Sequence, residues 1–336
     1  MKLASSALHS FNIPGCLLWL TVFSSLAVAQ DSSDSQLTVP PGVEHVEINI
    51  HDNSQANPFM DFYLRMPAGW EQLRQPSARS RTETEPQPVR VLLMSPYRHT
   101  DQNVSMFLAN PKWTAFADKN RLALVTANVG KLTMDIKNRR TCYYYPEEYS
   151  GQALQRSLRE FRKMGFPLME DGMLLHGISA GAQWAHRLVL WKPKMALGVF
   201  CHVGSFYDLP KASDRGAIWL ISTGYLDSNS LEHSRAFYLE ARKRTIPCLL
   251  KIYPTLGHES NEATGDMARA FFQTLLNPPI SADAQKALIA YGSSSYYGYV
   301  KSNETFEKSS LPAFQPDDWF CPLLGKDFAE TWKRNK

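Results

Sequence analysis

The segment Leu175-His176-Gly177-Ile178-Ser179-Ala180-Gly181-Ala182 sets a serine in the pattern Gly-x-Ser-x-Gly, between an apolar run and a helix-like stretch. A serine at such a strand-to-helix turn takes strained backbone angles, and small neighbours (Gly177, Ala180, Gly181) let strand and helix come together beneath it. The turn would lift the Ser179 hydroxyl above a sheet. It would also aim the Ala180 amide, at the positive end of the following helix, at the place where an oxyanion forms. A hydroxyl is a weak nucleophile by itself and needs a base that a carboxylate holds in place. Two residues later in the chain have the position for this. Asp227 follows the apolar run Ala217-Ile218-Trp219-Leu220-Ile221-Ser222, and His258 follows Cys248 to Tyr253. Serine, acid and histidine in that order would perform acyl transfer through a covalent acyl-enzyme. The competing reading makes Ser179 the cap of a helix at a tight turn, and Asp227 the cap of a helix that begins near Ser230.

Other groups compete for the same roles. His176 lies within the strand before the turn, His186 inside the following helix and His202 at the end of another strand, where histidines are ordinarily structural. Asp208 is the reserve acid. A second oxyanion donor is expected from the loop Ser95-Pro96-Tyr97-Arg98-His99; proline has no amide hydrogen, so the expectation falls on Tyr97. Arg98 and His99 would either hold an acidic substrate group or be solvated loop residues.

Positioning these residues requires a sheet whose strand ends lie side by side. Strand-like runs at Val43–Ile50, Phe59–Met66, Val89–Met94, Leu122–Val129, Met173–Ile178, Ala196–His202, Ala217–Ser222 and Cys248–Tyr253 predict eight strands. Apolar spacing near three or four predicts helices at Lys112–Lys119, Glu148–Lys163, Ala180–Trp191, Ser230–Lys243 and Asn261–Leu276. Alternation of the two predicts an α/β fold, a mostly parallel eight-stranded sheet with helices on both faces, over residues 43–278. The short segment after His202 leaves little room for a bulky lid, so an open cleft is expected. Residues 279–336 read as a folded extension. It contains a hairpin pattern from Tyr296 to Phe306 and large anchors at Trp319, Phe320 and Trp332, and it is expected to pack on the domain rather than form another.

Lys2, the apolar run Cys16–Ala29 and the ending Ala27-Val28-Ala29 read as a signal peptide over residues 1–29, followed by a polar leader over 30–42. Export would leave the chain secreted or periplasmic, without stable membrane insertion. A formal charge of +4, with basic residues scattered among acidic ones, gives no reason to expect a nucleic-acid partner. Of the cysteines beyond residue 29, Cys201 and Cys248 sit in apolar runs as core thiols, and only Cys142 with Cys321 is a candidate bridge. Neither CxxC nor HExxH occurs, so no metal is expected, and none of this chemistry calls for a cofactor.

From Val89 to Leu276 the residues resemble the α/β-hydrolase superfamily, and within it the exported esterases related to poly(3-hydroxybutyrate) depolymerases and feruloyl esterases. The most specific piece is Gly177-Ile178-Ser179-Ala180-Gly181-Ala182-Gln183-Trp184-Ala185-His186-Arg187, similar to that group's elbow and helix. The segments Gly224…Asp227 and Gly257-His258 resemble its acid and base loops. Where the group has His-Gly after the oxyanion strand, this chain has Ser95-Pro96. The resemblance implies ester hydrolysis of a small or oligomeric substrate. Prolyl-oligopeptidase-like peptidases share the order of the three residues, and a silent scaffold that binds a ligand at the same mouth shares the fold.

Overall fold

The computed structural model describes residues 41–49, 59–71, 87–95, 106–129, 142–211, 216–276, 295–300, 302–307 and 320–334, with single positions at 132, 137, 139 and 309. The chain divides into two compact units, residues 1–37 and 38–336. The first unit, and with it the expected signal peptide, lies outside the described residues.

The second unit is built on one eight-stranded sheet: β1 (Val43–Asn49), β2 (Phe59–Arg65), β3 (Arg90–Met94), β4 (Leu122–Asn128), β5 (Met173–Ile178), β6 (Ala196–His202), β7 (Ile218–Gly224) and β8 (Cys248–Tyr253). Their order across the sheet is β1-β2-β4-β3-β5-β6-β7-β8. Only β2 runs against the others, through its antiparallel pairing with β1 and β4. Strands β3 to β8 are parallel neighbours and almost wholly buried, which is why they read as continuous apolar runs rather than alternating ones.

Five helices return the chain between strands or follow the last one: α1 (Pro111–Asn120), α2 (Ser150–Lys163), α3 (Ala180–Trp191), α4 (Ser228–Lys243) and α5 (Glu262–Leu276). In α2 the buried Ala153, Leu154, Leu158 and Phe161 fall on one stripe, the spacing that makes an amphipathic helix. At the start of α1 the Asn110 side chain accepts from the amides of Lys112 and Trp113, and Pro111 occupies the first helical position, where its missing N–H costs nothing. Close approach of helix to sheet is set at Gly198, where a β-carbon would run into Leu275 of α5.

The expected elements match these closely, with physical reasons for the differences. Strand β7 continues two residues past Ser222 because Thr223 and Gly224 still pair with Ile252 and Tyr253 of β8. Helix α4 starts at Ser228 because Asp227 caps it. In the C-terminal segment the hairpin forms as β9 (Tyr296–Tyr299) and β10 (Thr305–Glu307), joined near Asn303, which adopts φ 57°. A third strand, β11 (Phe320–Pro322), and a helix, α6 (Lys326–Arg334), were not evident from periodicity. This small sheet and helix pack on β8 and α5.

The Cys142–Cys321 bridge does not form, and the described cysteines, Cys142, Cys201, Cys248 and Cys321, are buried and make no disulfide with one another. Cys321 lies beside Cys248 and α4 at the β8 side, whereas Cys142 adjoins the Tyr143–Tyr144 turn at the start of α2, whose strand contacts are with β1 and β2.

Candidate active site

Ser179 is the single residue between β5 and α3, with φ 50° and ψ −118°. This left-handed conformation is costly for a residue with a side chain, and it is retained here because the packing around it leaves no alternative. A β-carbon on Gly177 would lie 2.5 Å from the Gly181 carbonyl oxygen and 2.7 Å from Ala182 Cα, so strand and helix meet at a separation only glycine permits. The Ser179 amide donates to the His202 carbonyl at 2.9 Å, tying the turn to β6. Its hydroxyl makes no capping bond to the helix, which removes the capping role. Instead Oγ stands 2.8 Å from His258 Nε2. Ala180 opens α3, where the first amides have no carbonyl to bond within the helix.

Asp227 and His258 come from the neighbouring strands β7 and β8, whose pairing continues beyond the strands. The Tyr225 amide donates to the Tyr253 carbonyl at 2.9 Å, and the Leu226 amide to the Leu256 carbonyl at 3.0 Å. The loops that carry Asp227 and His258 are thus one zipped structure. Asp227 Oδ2 accepts from His258 Nδ1 at 2.5 Å, while Oδ1 accepts from the Ser230 amide at 3.2 Å. Asp227 therefore caps α4 and holds the imidazole at once. Burial alone would push its carboxyl up; hydrogen bonds from Ser230 and His258 outweigh that and hold it below the usual carboxylate range. An ionised acceptor at Nδ1 leaves Nε2 of a neutral His258 free to accept the Ser179 proton.

The other candidates are placed elsewhere. Asp208 pairs with Arg187, Oδ2 to Nε at 2.6 Å, and its amide donates to His186 Nε2 at 3.0 Å. Helix α3 thereby anchors the loop after β6. His186 is fully buried, its pKa lowered to about 3 by desolvation first and by the neighbouring Arg187 charge second. His202 is a positioning group. Its Nε2 meets the Glu259 carbonyl at 2.8 Å and must donate there, so Nδ1 accepts from the Ser222 hydroxyl at 2.9 Å. The carbonyl it holds is one residue past His258. Tyr97, Arg98 and His99 lie outside the described residues. Ser95, where that loop begins, is buried and donates its amide to the His176 carbonyl at 2.7 Å.

Sequence reasoning missed three contributors: Ser230, His202 as a support for the base loop, and Gly224. Gly224 had a signal. A glycine closing a buried strand marks close backbone approach, and here a β-carbon would meet the Leu256 and Gly257 backbone. Ser230 and His202 had none, since their roles follow from tertiary neighbours.

Ser179, Asp227 and His258 thus stand at the C-terminal ends of β5, β7 and β8 in one parallel sheet, where open α/β sheets build their sites. The fold is that of the α/β-hydrolases. The sequence matches no family model and no curated protein. Among solved structures the chain is similar to a ferulic acid esterase, at 15% identity over 69% of this chain and 96% of that one, with a TM-score of 0.46. It is similar to S-formylglutathione hydrolase from Staphylococcus aureus at 12% identity, over 74% and 99%, with a TM-score of 0.43. A dipeptidyl aminopeptidase IV structure from Bacteroides ovatus aligns at 16% identity over 69% and 35%, with a TM-score of 0.48. These likenesses concern the fold; what the chain does rests on its own residues.

Proposed function

We propose that the protein is an exported serine hydrolase that cleaves carboxylic esters. The observation that carries this reading is the pair of hydrogen bonds through one imidazole, Ser179 Oγ to His258 Nε2 at 2.8 Å and His258 Nδ1 to Asp227 Oδ2 at 2.5 Å. His258 takes the Ser179 proton as Oγ attacks the ester carbonyl carbon, and the negative charge moves onto the carbonyl oxygen, facing the Ala180 amide with Tyr97 as the second donor. Collapse breaks the bond to the alcohol oxygen, which leaves with the proton from Nε2. Water then repeats the sequence on the acyl-enzyme, giving its proton to His258 and releasing the carboxylic acid with Ser179 restored. Asp227 stays ionised throughout and stabilises the imidazolium. Export rests on the signal-like residues 1–29 and sets the protein in the periplasm or outside the cell; no described helix is long and apolar enough to cross a membrane.

Initial rates on 4-nitrophenyl acetate, with Ser179→Ala as the comparison, test the reading. Turnover is expected to fall by about 10³-fold or more, and a fluorophosphonate probe should label the wild type but not the variant. Unchanged ester hydrolysis in the variant sinks the assignment. Absence of labelling in the wild type would favour a silent scaffold, and turnover of peptides but not esters would favour a peptidase.

A further inference from the structure

Beside the three residues a cavity of about 350 Å³ opens on the α1 and α5 side of the sheet. It reaches Ile178, one residue before Ser179, and Ser260, two after His258. Its floor holds His176, only 2% exposed, whose Nδ1 has no hydrogen-bond partner among the described residues. Trp113 forms one wall, its ring 4.9 Å from that of His176. Arg269 lines the cavity next to Trp113, its guanidinium stacked over that ring 5.0 Å from the ring centre and paired with Asp266 at 2.5 Å. Arg269 is largely sequestered, with 15% of its side chain exposed, and Gly265 gives it room, since a β-carbon there would lie 3.3 Å from Nη1. Lys112, paired with Glu262, stands at the same mouth. Burial and then the charges of His202 and Arg269 lower His176 to about 3, so the imidazole is neutral at physiological pH. Helices α1 and α5 both begin at this cavity, adding the positive ends of their dipoles.

A flat apolar wall, a sequestered guanidinium and an unsatisfied imidazole suit a ligand with an apolar stem and an anionic end. A second, larger recess of about 750 Å³ runs along α3 past Gln183 and Trp191. Both recesses carry cations, Arg139, Arg187 and Lys211 in the larger one, but only the smaller is lined by Ile178, the residue before Ser179, and by Ser260, two after His258, so the smaller fits the acyl part that stays tethered to Ser179. We propose that the acyl pocket selects a carboxylate at the far end of the chain, making half-esters of dicarboxylic acids the substrate class, with Arg269 as the specificity residue. This rests on the ester-hydrolase reading above.

The test compares kcat/KM for mono-4-nitrophenyl adipate and 4-nitrophenyl hexanoate, equal in chain length and different in charge, on wild type, Arg269→Gln and Arg269→Lys. The wild type should prefer the adipate. Arg269→Gln should lower the adipate value about tenfold or more while leaving hexanoate within about twofold, and Arg269→Lys should restore part of the preference. Thermal melting of each variant shows whether the fold is kept. A wild type that prefers hexanoate, or an Arg269→Gln variant that loses both substrates equally, overturns the pocket assignment and leaves ester hydrolysis standing. If neither ester is turned over, the ester reading fails, and the pocket is then read by whether free adipate slows fluorophosphonate labelling of Ser179. Protection in wild type but not in Arg269→Gln supports the anion site; no protection overturns it.

Discussion

Replacing Gly224 by alanine should break catalysis while leaving the protein folded. A methyl group there would lie 2.5 Å from the Leu256 carbonyl carbon, and closer still to the Leu256 and Gly257 carbonyl oxygens. Ordinary contact begins at 3.4 Å and the closest of these atoms, the Leu256 carbonyl oxygen, would lie at 2.2 Å, so the loops that carry Asp227 and His258 must part by about 1.2 Å. The bond between Asp227 and His258, 2.5 Å long, would stretch to about 3.7 Å, past the range of hydrogen bonding. Misplacing a reacting group by about 1 Å costs on the order of 10²-fold, which sets the expected drop in kcat, with KM little changed. Overpacking of this kind costs about 1–3 kcal/mol, a lowering of the melting temperature by several degrees. Gly257 supplies the control. It adjoins His258 in the same loop, yet a β-carbon there meets nothing within 4 Å, and Gly257→Ala should keep kcat within about twofold. Rates on 4-nitrophenyl acetate and a thermal melt suffice. Wild-type kcat in Gly224→Ala, or equal damage at both glycines, would refute the argument that Gly224 sets the spacing of acid and base.

Asp227→Asn should cost about 10³–10⁴ in kcat, since the amide donates where a carboxylate must accept. By contrast Asp208→Asn should keep kcat within a few-fold and lower stability by about 1 kcal/mol, because its pair with Arg187 is partly exposed; equal losses would exchange their roles. Stability should fall as pH drops from 7 to 5. His176, His186 and His202, lowered to about 3, 3 and 4, stay neutral in the fold but take up protons near pH 6.5 once unfolded, so acid favours the unfolded chain by at most about 2 kcal/mol for each over that interval. Urea midpoints that are flat across this range would contradict their burial. Melting temperatures with and without a reductant should coincide, as Cys142, Cys201, Cys248 and Cys321 make no disulfide with one another, and a reductant-dependent melt would restore a bridge.

The sheet was legible because strands buried on both faces read as unbroken apolar runs, and the elbow because only glycine tolerates the approach at residue 177. Asp227 and His258 were placed by standing just past such runs. The supports were not legible. His202 takes its role from the Glu259 carbonyl, 57 residues away, and nothing local marks it. Helix α6 buries Phe328, Ala329 and Trp332, but a nine-residue helix carries too few turns for its periodicity to stand out. The cysteine pair misled because compartment and count say nothing about distance.

Lys251, in the middle of β8, is fully buried, and its ammonium donates to Asn303 Oδ1 at 2.6 Å and to the Trp332 carbonyl at 2.8 Å. These acceptors are synthesised 52 and 81 residues later. During translation, therefore, β8 can pair with β7 on one side, but its lysine keeps its water until the extension arrives, because stripping an ammonium of solvent without acceptors is prohibitively unfavourable. Ser179, Asp227 and His258 all leave the ribosome before that moment. The last edge of the sheet closes only after these three residues have been made, so a nascent chain halted near residue 300 would carry the whole proposed site on a sheet whose outer strand is still wet.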